Sequence, residues 1–169
     1  MKPLYKGLII AALHVAIVLS LGGKLLYDRA TRPRIWVRTG SVDPDLPIRG
    51  RYFTLSLQVK APGIKPSVEQ KFPRFQFETV KLSVENGELM AQKSDRDTGL
   101  RISDAGTRAP ADTYLLWPQV AFFVSEHAPD LRVTRGEELW AEVTVPRKGP
   151  PRPIQLAVKR EGKWIPLTY

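Results

Sequence analysis

The residues best equipped for acid–base or metal chemistry stand together in the segment SEHAPD, which holds Glu126, His127 and Asp130. A carboxylate beside an imidazole can pass a proton or begin a metal site. His127 is one of only two histidines in the chain, so a zinc site would have to recruit carboxylates from distant segments. Two carboxylate pairs, Asp43 with Asp45 and Asp95 with Asp97, lie in turn-forming sequence, where such acids commonly cap nearby backbone amides. A serine–lysine dyad is a further option, with Ser41, Ser56, Ser103 and Ser125 available, but none of them sits in a recognisable nucleophile motif. The chain has no cysteine, no phosphate-binding glycine loop and no dinucleotide fingerprint, and we expect neither a cofactor nor a metal. The remaining chemistry is recognition. Arg49 and Arg51 bracket Gly50 and precede Tyr52, an arrangement suited to an acidic group on a partner or at a membrane surface. The competing reading is that Gly50 and Tyr52 shape a sheet corner while both arginines are solvated.

These residues lead into the clearest strand in the chain. Phe53, Leu55, Leu57 and Val59 alternate with Thr54, Ser56 and Gln58, the period-two pattern of a half-buried strand. Asp43-Pro44-Asp45 and Leu46-Pro47 predict consecutive turns before it, and Ile35–Thr39 predicts a short strand earlier still.

Further on, prolines between Pro62 and Pro73 predict a long irregular connection, read either as a solvated linker or as a lid. Val80, Leu82 and Val84 alternate up to Asn86-Gly87, the strongest short hairpin signal, and Glu88–Gln92 returns. Lys93–Thr113 is polar and reads as a loop or a weak hairpin. Tyr114–Ser125 is apolar but interrupted by Pro118, which predicts an irregular entry followed by a core strand from Val120. Leu139–Val145, Ile154–Val158 and Trp164–Leu167 predict a closing antiparallel meander, with Glu161-Gly162 as its last turn. The fold class expected is mainly β: an N-terminal transmembrane helix, then one antiparallel sheet, sandwich or small barrel.

The charge of +9 is concentrated at one end. Residues 1–38 carry +6 and residues 39–169 only +3, so the excess flanks the apolar N-terminus, where anionic lipid is the natural counter-charge. That distribution argues against a nucleic-acid partner. Leu8–Leu21 is apolar apart from His14 and Ser20, and Gly7–Leu26 reaches the roughly 20 residues a bilayer span requires. A cleaved signal peptide ending after Gly22 is the alternative to an uncleaved anchor. His14 reads as a tolerated polar residue, a contact to a partner helix or a proton-relay group.

The organisation expected is therefore an anchor over residues 1–26, a stalk over 27–34 and a β-rich domain over 35–169. Lys2 and Lys6 argue for an inside N-terminus, while Lys24 and four arginines up to Arg38 argue for the reverse. A short tail before a first hydrophobic segment behaves as an export signal, which places the domain in a bacterial periplasm.

GSVDPDLPIRGRYFTLSL resembles the signature region of the bacterial membrane-anchored family named for its motif Gly-Asp-Tyr-x-x-Leu-x-Tyr. Gly50, Tyr52 and Leu55 match the motif, and Asp43, Pro44 and Arg49 match the approach to it. Arg51 stands where that family has aspartate and Leu57 where it has the second tyrosine. AFFVSE, at Ala121–Glu126, is similar to the family's aromatic strand and glutamate, and LWAEVTVPRKGPPRPIQLAV to its closing strands. The resemblance implies a location and an architecture and supplies no activity.

The leading functional expectation is a non-catalytic accessory protein of the inner membrane that engages a multi-pass membrane protein. Arg49, Gly50, Arg51, Tyr52 and Leu55 form its candidate surface. The alternatives are a periplasmic binding module for an acidic ligand or envelope polymer, which would need converging arginines, and an anchored hydrolase using His127 or a serine–lysine pair.

Overall fold

The computed structural model describes residues 3–43, 52–64, 78–106, 109–125, 133–134 and 136–168. Two compact units make up the chain, Met1–Arg32 and Pro33–Tyr169.

The first unit is a single helix, α1 (Pro3–Thr31). Its Tyr5–Thr31 stretch is long and apolar enough to cross a membrane. A helix of 29 residues runs about 44 Å at ~1.5 Å per residue, longer than a hydrocarbon core of ~30 Å. Its two polar interruptions are satisfied within the helix. The His14 Nδ1–H donates to the Ile10 carbonyl at 2.8 Å, and the Ser20 hydroxyl donates to the Ile17 carbonyl at 2.8 Å. Both can therefore sit among apolar neighbours without an orphaned donor.

The expected stalk over residues 27–34 is corrected: α1 continues through Thr31. Arg32 bonds Asp28 twice, through its backbone N–H to the carbonyl at 2.9 Å and through Nε to Oδ1 at 3.3 Å. Polar sequence there marks the end of the apolar span and not the end of the helix. Arg32 and Pro33 alone separate the helix from the first strand.

Among the described residues the second unit contains ten strands: β1 (Arg34–Asp43), β2 (Tyr52–Lys60), β3 (Glu78–Glu85), β4 (Glu88–Lys93), β5 (Arg101–Asp104), β6 (Thr113–Trp117), β7 (Val120–Phe123), β8 (Glu138–Thr144), β9 (Arg152–Arg160) and β10 (Lys163–Leu167). β2 belongs to two sheets. Its first half pairs antiparallel with β1 on one edge and with β7 on the other. Its last residues pair with β6 through Gln58, Val59 and Lys60, and in parallel with β4 at Lys60 and Met90. The path β2-β4-β3-β5-β6 returns to β2, closing a small five-stranded barrel. The second sheet runs β10-β9-β8-β1-β2, with β7 beyond β2.

The alternation in β2 decides its core face. Phe53, Leu55, Leu57 and Val59 are all buried, in one continuous core with Val80, Ile102 and Leu116 of the barrel and Val37, Ala141, Val143 and Leu156 of the second sheet. Thr39, also buried, donates its hydroxyl to the Leu139 carbonyl at 3.2 Å, which satisfies it across one hundred residues of sequence. Asn86-Gly87 and Glu161-Gly162 both have positive φ at each position (52° and 78°, 48° and 79°). That is the geometry of the two-residue turns that suit twisted hairpins.

Three readings change. β1 extends to Asp43, beyond the five residues expected. Arg101–Asp104, inside the segment read as a loop or weak hairpin, is β5, with Ile102 fully buried as the stave between β3 and β6. Tyr114–Trp117 is a regular strand and not an irregular entry. Pro118 separates it from β7, so one segment lines β2 twice, first in the barrel and then in the second sheet. Gln119 fills the break, donating through Nε2 to the Ser56 hydroxyl at 2.6 Å. The connection expected between Pro62 and Pro73 lies outside the described residues except for its start, where the Tyr114 hydroxyl donates to the Ile64 carbonyl at 2.6 Å.

β10, at the end of the second sheet, carries Pro166, opposite Ala157. Proline has no N–H and is tolerated in sheets at edges.

Because Leu55 is fully buried in a strand shared by both sheets, Leu55→Ala should cost about 2–5 kcal/mol. The neighbouring Thr54→Ala, on the opposite face, should stay within about 0.5 kcal/mol. Urea unfolding of the full-length protein in micelles, followed by tryptophan fluorescence, measures both.

Candidate functional site

Of the five residues expected to form the recognition surface, Arg49, Gly50 and Arg51 lie outside the described residues. Tyr52 and Leu55 have separate roles. Leu55 is fully buried and opposes Val120 of β7, so it serves the core. Tyr52 opposes Phe123, and their rings stand 5.8 Å apart at 50°. Phe123 is 71% exposed, which makes this pair an open aromatic corner at the start of β2. Such pairs favour tilted geometry and give large contact area for little side-chain entropy.

The cluster Glu126, His127 and Asp130 also lies outside the described residues. Among the candidate serines, Ser56 is 2% exposed and accepts the Gln119 hydrogen bond, so it is a packing residue and not a nucleophile. Asp97 caps a turn, accepting from the Gly99 N–H at 2.9 Å.

A second surface arises where the two sheets diverge. β1 pairs with β2 from Thr39 onward but with β8 over Arg34–Arg38, while β2 turns into the barrel. The fork between them is a groove of about 640 Å³ including its open mouth. Val37, Val59 and Leu89 form its floor, and β4 lies against β1 at its base. One wall carries Trp36, Arg38, Glu138 and Trp140; the other carries Gln58, Lys60, Glu88, Pro110 and Thr113.

Alternation explains the first wall. Trp36 and Arg38 interleave with buried Ile35 and Val37, and Glu138 and Trp140 with buried Leu139 and Ala141, so all four face outward. The pairing Arg38↔Trp140 then brings the two rows together. Glu138 organises the wall by accepting from the Trp140 indole N–H at 3.2 Å and pairing with Arg38 Nη1 at 3.3 Å. Trp164 of β10 packs on both rings, with centroids 5.2 Å from Trp36 and 5.2 Å from Trp140. Lys159 extends its ammonium over Trp140 and Trp164 at 5.8 and 5.7 Å, within cation–π range. Across the groove, Lys60 Nζ and Glu88 Oε1 are 2.6 Å apart. Among the described residues, the two groove cations, Arg38 and Lys60, each have a carboxylate partner. The expectation of converging arginines for an acidic ligand is not met here.

No sequence reading identified this groove. Trp36, Trp140 and Trp164 are scattered through the chain, and each alone reads as an outward residue of its strand; only the order β10-β9-β8-β1 unites them.

Glu137 forms a separate structural clasp. It accepts from the Thr134 backbone N–H at 3.0 Å and from Arg160 Nε at 2.6 Å. The hydrogen bonding from Thr134, and then Arg160, holds its carboxyl below the usual carboxylate range. The clasp joins the starting end of β8 to the finishing end of β9. Tyr114 shifts the opposite way: burial, followed by repulsion from Asp112 and Asp104, raises its phenol.

A carboxyl depressed on folding contributes stability above its unfolded pKa and loses it as pH falls through the folded value. The difference in melting temperature between the protein and its Glu137→Gln variant should thus be greatest at neutral pH and close on acidification below the ordinary carboxylate range. A gap independent of pH would assign the clasp to neutral hydrogen bonding. Comparison of the chain with family models, with curated proteins and with solved structures gives no match to any of the three.

Proposed function

We propose that this chain is a non-catalytic, single-pass accessory protein of the bacterial inner membrane. In this reading the β domain is periplasmic and engages a multi-pass membrane protein through the aromatic corner at the start of β2. The observation that carries the reading is the Tyr52–Phe123 pair, in which a large ring stays 71% exposed at a strand start that Arg49 and Arg51 precede in sequence. Exposed aromatics next to arginines are the composition of interface hot spots. Support also comes from the resemblance of Gly50, Tyr52 and Leu55 to the Gly-Asp-Tyr-x-x-Leu-x-Tyr motif, since the resembling strand and the aromatic segment Ala121–Phe123 are neighbours in the sheet. The apolar helix α1 supplies the anchor, and the basic excess around it suits anionic headgroups and not nucleic acid.

A periplasmic binding module is the second reading. The fork groove favours its polymer form over its acidic-ligand form, because Arg38 and Lys60 are each matched by a carboxylate.

Affinity purification of the full-length protein from gently solubilised membranes should recover a stoichiometric multi-pass membrane protein. Arg49→Glu with Arg51→Glu should reduce that recovery severalfold, and Phe123→Ala should do the same, with the thermal melt of the domain unchanged. Recovery of the protein alone, or full recovery by all three substitutions together, would overturn the proposal.

A further inference from the structure

We propose that the fork between β1 and β2 binds a neutral glycan strand, with sugar rings laid against Trp36 and Trp140 and hydroxyls shared among Arg38, Gln58, Glu88 and Glu138. The inference goes beyond the partner reading and does not depend on it.

The ligand class follows from the walls. Both indoles are half-buried, so part of each ring remains open; Trp164 packs on both and Lys159 lies over Trp140, contacts that restrict their tilt. Preorganised aromatic faces attract the weakly positive C–H faces of pyranose rings through their negative quadrupole. Around these rings stand guanidinium, ammonium, amide and carboxylate groups in one groove, a mixture of donors and acceptors matching sugar hydroxyls, which are both.

Charge complementarity favours an uncharged occupant. A site for an anion would present uncompensated cations. Here Arg38 is paired with Glu138 and Lys60 with Glu88, leaving the lining electrically balanced among the described residues. The groove also differs from a strand-addition site. β4 closes the base of the fork, with Leu89 buried in its floor, so an inserted peptide strand would meet side chains and not an open ladder. The open mouth suits a chain passing through better than an enclosed small molecule.

The test is isothermal titration of the full-length protein, held in zwitterionic lipid nanodiscs free of sugar detergents, with chitotetraose and with cellotetraose. At least one should give saturable heat. Trp140→Ala should weaken that binding at least about tenfold, the loss expected when a stacking platform is removed. Glu88 is half exposed, so Glu88→Ala leaves the core intact and should weaken binding severalfold even if Trp140→Ala does not fold. Lys81→Ala, on the exposed face of β3 and outside the groove, should leave the titration unchanged. Absence of heat with both glycans would overturn the proposal, as would binding that survives Trp140→Ala and Glu88→Ala alike. Saturable binding of a decaproline peptide with no response to either glycan would also overturn it, transferring the groove to polyproline recognition.

Discussion

The second unit depends on one backbone constraint: the peptide groups of β2 must be hydrogen-bonded on both edges although no single sheet provides partners along its full length. Buried N–H and C=O groups left unpaired are costly, so the strand exchanges partners partway. β1 gives way to β4 on one edge, and β7 gives way to β6 on the other. The barrel, the second sheet and the fork between them all follow from that exchange. Ser56 and Gln119 sit where it occurs, and their 2.6 Å hydrogen bond satisfies two side chains at the interruption in the ladder.

The parts of this architecture written in local pattern were legible. Phe53–Val59 alternates without exception, and each core-facing residue is buried. The turns Asn86-Gly87 and Glu161-Gly162 announced their hairpins because few residue pairs accept positive φ twice. β5 was not legible, since a four-residue strand with Ile102 as its one buried apolar residue offers no period to detect. The Tyr114–Trp117 strand is hard to read in sequence because Pro118 suggests a disturbed approach, whereas its missing N–H acts only at the strand's end. The end of α1 was misplaced for a related reason: hydropathy reports where lipid contact can stop, while Asp28 and Arg32 continue the helical hydrogen bonding beyond that point.

The candidate sites divide in the same way. Tyr52 could be found from its neighbours in sequence, but its ring partner Phe123 required the β2–β7 register. The fork groove was invisible because sheet order, a non-local property, assembles it. What sequence does contain is the alternation that turns Trp36, Trp140 and Trp164 outward against the usual burial of large aromatics. Three such rings on outward positions of their strands are a local signal that precedes any knowledge of pairing.

The Thr39–Leu139 hydrogen bond, one hundred residues apart in sequence, has a kinetic meaning. β1 is made first among the strands, yet β8, which supplies its pairing over Arg34–Arg38, follows about a hundred residues later. Proteins dominated by such distant pairings fold in about milliseconds to seconds, because loop-closure entropy is lost before the contacts form. A chain emerging vectorially from its N-terminus, at about 5–20 residues per second, would therefore hold Arg34–Arg38 of β1, with Trp36, without its β8 partner for several seconds, while Thr39–Asp43 can already pair with β2. The β1–β8 ladder can close only once the chain has been made through Thr144, so the second sheet is completed late however early its first strand appears.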